Sequence, residues 1–178
     1  MNDPMTILKA DHREAKKLLT ALGESEEGPE RDKMAAELEA ALTLHMQIEE
    51  DILYPSVAEF VGEEDEEEAE IEHGLARDGL SKMLSMVAMP GFGAAAEMLL
   101  GGIMHHVEEE ENEILPALKE ALPRQDWFAL GDAIAEAKTA AGQPVPQQRR
   151  ASIDLIMPRA YAQHPFEHSL HREGAHRR

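Results

Sequence analysis

Apolar residues recur every three or four positions through most of the chain as far as Lys138, the period of helices with one buried face. The first such stretch begins at Pro4, where Asp3 can cap and proline is tolerated in the opening turn. It carries Met5, Leu8, Ala15, Leu19 and Leu22 on one face and stops before Gly23 and the Gly28-Pro29 turn. A second runs from about Glu30 to Phe60, with Met34, Leu38, Leu42 and Ile52 in its stripe. A third begins in the acidic run from Gly62 to Glu68, shows Ala69, Ala76, Leu80, Leu84 and Val87, and ends at Met89-Pro90-Gly91. A fourth spans about Ala94 to Glu120, with Ala95, Leu99, Ile103, Ile114 and Ala117 facing inward. A shorter fifth follows Pro123 as far as Lys138, with Trp127, Leu130, Ile134 and Ala137 able to pack on the others. Long amphipathic helices joined by short connections predict an all-α, antiparallel four-helix bundle with a short fifth helix.

Gly142-Gln143-Pro144-Val145-Pro146 ends any helix and divides the chain into a helical body, 1–142, and a C-terminal extension, 143–178. Charge divides at the same point. The formal net charge is −19, yet the extension holds six Arg, no Lys and three acids. It also holds His164, His168, His171 and His176, and a short apolar patch of Ile153, Leu155, Ile156, Met157 and Tyr161. The simplest expectation for it is a flexible, solvated tail. The patch offers a possible contact with the acidic body or with a protein partner.

Composition narrows the chemistry. An excess of acid argues against nucleic acid and anionic membrane surfaces as partners, since both would be repelled. The absence of cysteine excludes disulfides, thiolate zinc sites, iron–sulfur clusters and cysteine nucleophiles. No apolar run approaches the roughly 18–20 residues of a membrane span. Met1-Asn2-Asp3-Pro4 lacks the regions of a secretory signal. The expectation is a cytoplasmic protein. The acidic run at Gly62–Glu68 suits a helix N-terminus and reads as capping and solvated surface. The methionines Met34, Met46, Met83, Met86, Met98 and Met104 read as core fillers.

A histidine interrupts each of the four long stripes, where an apolar residue belongs: His12, His45, His73 and His106. Glu49 follows His45 by four residues and Glu110 follows His106 by four, so each pair shares a helix face. Burying these groups without a partner would cost about several kcal/mol per charge. A metal centre is the simplest compensation.

The spacing strengthens this reading. His12 and His73, His45 and His106, Glu49 and Glu110, and Pro55 and Pro116 are all separated by the same 61 positions. Asp11-His12 matches Glu72-His73, and Glu50 matches Glu111. The chain thus contains two copies of a helical hairpin, each offering His and then His-x-x-x-Glu. Facing each other, they would supply four His and two Glu to a central cavity, enough for two metal ions bridged by the carboxylates. The repeat also selects His106 over His105, which would point about 100° away around the helix. His105 is left a surface or supporting role. A ferritin-like carboxylate site needs Glu-x-x-His on two helices. Glu70-x-x-His73 has no second copy, because Leu42 and Ile103 stand where Glu would be required.

These motifs, Asp11-His12, His45-Met-Gln-Ile-Glu49-Glu50, Glu72-His73 and His106-Val-Glu-Glu-Glu110-Glu111 with their trailing prolines, resemble the hemerythrin-like HHE cation-binding domain over most of residues 5–120. The resemblance implies two iron ions in a non-heme centre, bridged by the two glutamates and an oxo or hydroxo group. By hairpin, His12 and His45 would serve one iron, His73 and His106 the other. It also implies a small-molecule ligand: dioxygen, hydrogen peroxide or nitric oxide. Oxygen-carrying members place a fifth His four residues after the His of the third helix, and that position here is Arg77. Fewer histidines leave more positions open to exogenous ligand, favouring redox reactivity or sensing over reversible oxygen carriage. From the residues alone, zinc, manganese or nickel would also suit the set. Glu50 and Glu111 are candidates to orient ligands, and Tyr54 either reaches the site or packs between helices.

Two functions follow as expectations. The first is a di-iron protein reacting with a small oxidant in oxidative or nitrosative stress or iron handling. The second is a non-catalytic sensor or storage module whose metal occupancy controls a partner interaction.

Overall fold

The computed structural model describes residues 1–146. The tail histidines and the apolar patch at 153–161 lie outside the described residues. Helix α1 (Pro4–Glu24) starts as its sequence dictates: Asp3 Oδ1 accepts the Met5 amide at 3.1 Å, and Pro4 occupies the first turn. Helix α2 (Pro29–Ile48) again opens on proline. It passes without a break into a π-turn, π1 (Glu49–Leu53), and then α3 (Tyr54–Phe60). Helix α4 (Glu63–Leu84) opens with six consecutive acidic residues, mostly exposed, at the end of the helix that favours negative charge. Helix α5 (Phe92–Glu109), π2 (Glu110–Ile114) and α6 (Leu115–Ala121) form the fourth limb. Helix α7 (Arg124–Ala140) packs on α1.

The second and fourth limbs therefore differ from the continuous α-helices that periodicity predicts. In each, a π-turn begins at the motif glutamate, closed by the amides of Tyr54 and Leu115 donating five residues back to Glu49 and Glu110. Proline follows at once, at 55 and 116. Proline has no amide to donate, and its ring crowds the carbonyl four residues back. A wider turn relieves both problems, and π-turns of this kind concentrate at functional sites. The extra residue shifts the buried face by one position. Ala117, expected inside, is exposed, and Leu115 and Leu118 take its place in the core.

Helix α4 also ends earlier than expected, at Leu84, and the chain turns through Ser85–Gly91. Ser85 Oγ donates to the Lys82 carbonyl at 2.7 Å, Pro90 disfavours helix at Met89, and Gly91 turns the chain with φ +92°. Helix α7 closes with the Gly142 amide on the Thr139 carbonyl and the Gln143 amide on that of Lys138. This double bond pattern needs the left-handed φ of +72° found at Gly142.

The apolar residues form two cores. Leu19, Leu22, Leu38, Met83, Phe92 and Leu99 anchor one; Ile7, Leu53, Val57, Leu118, Trp127 and Ile134 anchor the other. His12 lies on α1 between Leu8 of the second core and Ala15 of the first. Around His73 the order is the same, from Ala69 of the second core to Leu80 of the first. Around His106 and Glu110 it runs the other way, from Ile103 of the first to Ile114 of the second, so a polar layer separates the two cores. No helix among the described residues is long and apolar enough to cross a membrane.

Candidate metal centre

All six residues of the repeated motif enter that layer. His12, His45, His73 and His106 are buried, and Glu49 and Glu110 are fully buried. Within each hairpin the two imidazoles meet through Nε2: His12 and His45 stand 3.1 Å apart, His73 and His106 3.3 Å. Glu49 spans the two pairs. Its Oε1 lies 3.2 Å from His45 Nε2, and its Oε2 lies 3.3 Å from His73 Nε2. Glu110 Oε2 lies 3.2 Å from His12 Nε2. Two groups with donor atoms close enough to share an ion result, His12–His45–Glu49 and Glu49–His73–His106, joined by the one carboxylate.

The fit to metal is a matter of chemistry rather than count. Neither oxygen of Glu49 or Glu110 has a hydrogen-bond partner, although both carboxylates are sealed from solvent. Buried carboxylates left so bare are costly unless a cation takes the lone pairs. The Nε2 atoms of four histidines turned to the same point complete a nitrogen and oxygen set suited to a transition metal.

The outer nitrogens explain why the rings face inward. His12 Nδ1 donates to Glu111 Oε1 at 2.8 Å, and His73 Nδ1 donates to Glu50 Oε1 at 2.9 Å, so each hairpin orients the other's first histidine. His106 Nδ1 donates to Glu72 Oε2 at 2.9 Å. A carboxylate can only accept, so each contact fixes the proton on Nδ1 and directs the Nε2 lone pair to the centre. Arg77 grips both oxygens of Glu50 at 2.7 and 2.6 Å, and Lys9 reaches Glu111 Oε2 at 3.2 Å. Arg77, in the position of the missing fifth histidine, thus reinforces an orienting carboxylate. His105 is exposed and touches Glu72 and Glu109 at 3.4 and 3.5 Å, outside the layer.

Charge is shared tightly across the cluster. Without a metal, burial works against the His12 imidazolium, but Glu110 and Glu49 outweigh it and raise the pKa well above the usual histidine value. Nε2 then holds a proton that a metal would have to displace. Burial opposes ionisation of Glu49 too, yet His45, His12 and His73 hold it well below the usual carboxylate range. Tyr54 reaches the site and packs as well. Its hydroxyl lies 3.0 Å from His73 Nε2 while its ring stacks on that imidazole. Burial, then the charges of Glu49 and Glu110, push its phenol far above the usual value, so it keeps its proton.

Four contributors are not singled out by the repeat: Asp11 and Glu72, which appear there only as flanking matches, and Lys9 and Lys138. Lys138 Nζ bonds both oxygens of Asp11, the residue beside His45. Glu72 precedes His73 in sequence but serves His106 across the bundle, a relation that only helix packing creates.

Comparison with known proteins gives a consistent result. The family model described as the hemerythrin HHE cation binding domain matches residues 3–118. An uncharacterized hemerythrin-like protein of Schizosaccharomyces pombe is 31% identical over 101 residues, covering 54% of this chain and 50% of that one. A protein of Nostoc sp. named as a DNA nickase is 27% identical over 117 residues, covering 65% of this chain and 33% of that one. The chain therefore spans between a third and a half of the length of these relatives. A crystal structure of a hemerythrin HHE cation binding domain-containing protein from Mycobacterium kansasii superposes with a TM-score of 0.70 at 26% identity, over 80% of this chain and 89% of that one. Its repeated hairpins, its His and Glu layer and this match over most of its length make the chain a member of the hemerythrin HHE cation-binding family, a helical bundle built to bind metal.

Proposed function

We propose that the chain is a non-heme di-iron protein that binds and reacts with a small oxidant, dioxygen, hydrogen peroxide or nitric oxide, in stress defence or iron handling. The observation that carries this reading is the pair of fully buried carboxylates with no hydrogen bonds, set among four inward-facing Nε2 atoms. His12 and His45 would hold one ion, His73 and His106 the other, with Glu49 and Glu110 between them. Iron supplies one-electron redox chemistry and coordination positions that a small ligand can enter. The protein's part is positional. Glu111, Glu50 and Glu72 hold three of the imidazoles in register, and the two apolar cores flank the polar layer on either side. Tyr54, kept protonated, presents a hydroxyl proton at the wall of the site. Arg77 is turned outward to Glu50, so the bundle contributes only four histidines.

A second reading, a sensor or storage module, draws on the same bare carboxylates. Metal would relieve their burial cost and stabilise the bundle in proportion to occupancy, coupling metal supply to a partner surface. The acidic balance, −19 overall, argues against carrying the DNA chemistry named for the Nostoc relative over to this chain.

Anaerobic loading with ferrous iron, followed by metal analysis, tests the reading directly. Two irons per chain and a visible absorption change on adding oxidant are expected; failure to take up iron would overturn it. Sustained peroxide consumption separates the reactive protein from the sensor.

A further inference from the structure

The histidines are also the inner end of a cavity of about 600 Å³ that opens between α1, α2, α4 and α5. Along α5 its wall runs from His106 past Ile103 and Leu99 to Ala95, about 16 Å at a rise of about 1.5 Å per residue. Small residues on the facing helices make the room. A Cβ on Gly102 would meet nothing within 4 Å, whereas one on Gly79 would press on Leu99 Cδ1 at 3.1 Å. At the mouth, Met98 and Leu75 are 81% and 66% exposed, so Met98, expected to fill the core, instead stands at the surface beside the cavity.

This volume is not what a small oxidant requires. A water molecule occupies about 30 Å³ of liquid, and dioxygen, nitric oxide and hydrogen peroxide each have two heavy atoms. Sites for organic ligands span roughly 300–1,000 Å³ and are mostly apolar with a few convergent polar groups. That describes this cavity, aliphatic along its length and polar at the histidines. A protein helix, about 10 Å across, does not fit, because the cavity reaches between all four helices to residues as buried as Met46 and His73. Charge sets the ligand's headgroup. The lining holds one acid, Glu72, and one base, Lys82, so it is locally balanced, and the −19 of the whole chain is what works against an anionic amphiphile.

We propose that this cavity binds an uncharged organic molecule with an aliphatic body and one polar oxygen function, its polar end against the histidine cluster. The proposal deepens the function above by naming a substrate class: alkyl hydroperoxides are the members of this ligand class on which the metal centre would act.

Binding is tested on the metal-free protein with the uncharged fluorescent probe N-phenyl-1-naphthylamine, displaced in turn by 1-decanol and by decanoate. Saturable 1:1 binding is expected, with decanol displacing the probe at least tenfold more effectively than decanoate. Gly102→Phe should weaken probe and decanol at least tenfold. Ala95→Phe, on the same wall, should do likewise, and circular dichroism checks that both variants fold. Gly101→Phe is the control, since Gly101 is exposed and outside the cavity lining. Absence of saturable binding, binding unchanged in both blocking variants, or decanoate equal to decanol would each overturn the proposal. So would a dimer in sedimentation that binds no probe and dissociates in Gly102→Phe, which would make the groove an interface between copies. Iron content is measured on the same proteins. Two irons without probe binding removes the cavity ligand alone, and probe binding without iron removes the metal reading alone.

Discussion

Lys138 Nζ stands 2.8 Å from both oxygens of Asp11 and holds that carboxylate 3.7 Å from His45 Nδ1, beyond hydrogen-bond reach. In the other hairpin, the equivalent carboxylate, Glu72, reaches His106 Nδ1 at 2.9 Å. Two facts break the symmetry: aspartate is one methylene shorter than glutamate, and α7 supplies its lysine to one hairpin only. His45 Nδ1 is left buried without a hydrogen bond. Carboxylate partners of this kind are worth roughly 10–100-fold in metal affinity. The His73–His106 side should therefore load first, giving two resolved steps in a calorimetric titration with ferrous iron. Lys138→Met, which frees Asp11 to turn toward His45, should bring the steps together. A single step in the wild-type protein would contradict this.

Glu49 faces both histidine pairs, so Glu49→Ala should remove most bound metal from both positions, read as metal per chain after dialysis. His106→Ala should lose metal from its own side. His105→Ala should retain the wild-type content, because His105 is exposed and touches only Glu72 and Glu109. Metal loss in His105→Ala with retention in His106→Ala would place the repeat in the wrong register.

Tyr54→Phe keeps the buried ring and removes only the hydroxyl near His73 Nε2. Metal content should be unchanged, and the metal-free protein should lose about 1 kcal/mol, the usual net worth of one hydrogen bond, in urea unfolding. A loss of metal instead would make the phenol part of the metal-holding set.

The N-terminal segment docks on α7 through Asp132, whose Oδ1 accepts the Asn2 amide at 2.9 Å and its side-chain amide at 2.8 Å. Gly131 makes that approach possible, since a Cβ there would fall on the Asn2 carbonyl. Gly131→Ala should cost about 1–3 kcal/mol, the range for inserting atoms into a packed site. A thermal midpoint equal to that of the wild-type protein would argue against this packing.

What the sequence determined by itself is the architecture and the six inward residues. A 3.6-residue period commits a helix face to burial, and two copies of His and His-x-x-x-Glu at one offset commit the same positions of each hairpin to one layer. These signals are local or repetitive, and so survive in a string of letters. The tertiary structure decided what depends on distance between elements: that Glu72 orients His106 rather than its neighbour His73, that Lys138 on α7 takes Asp11 away from His45, and that a cavity stays open beside Gly102. The π-turns lie between the two. Pro55 and Pro116 announce a disturbance, but the change of phase that exposes Ala117 and buries Leu118 is settled only when the wider turn seats Glu49 and Glu110 between the histidines. Sequence spacing specifies which side chains share a face; packing specifies which faces meet.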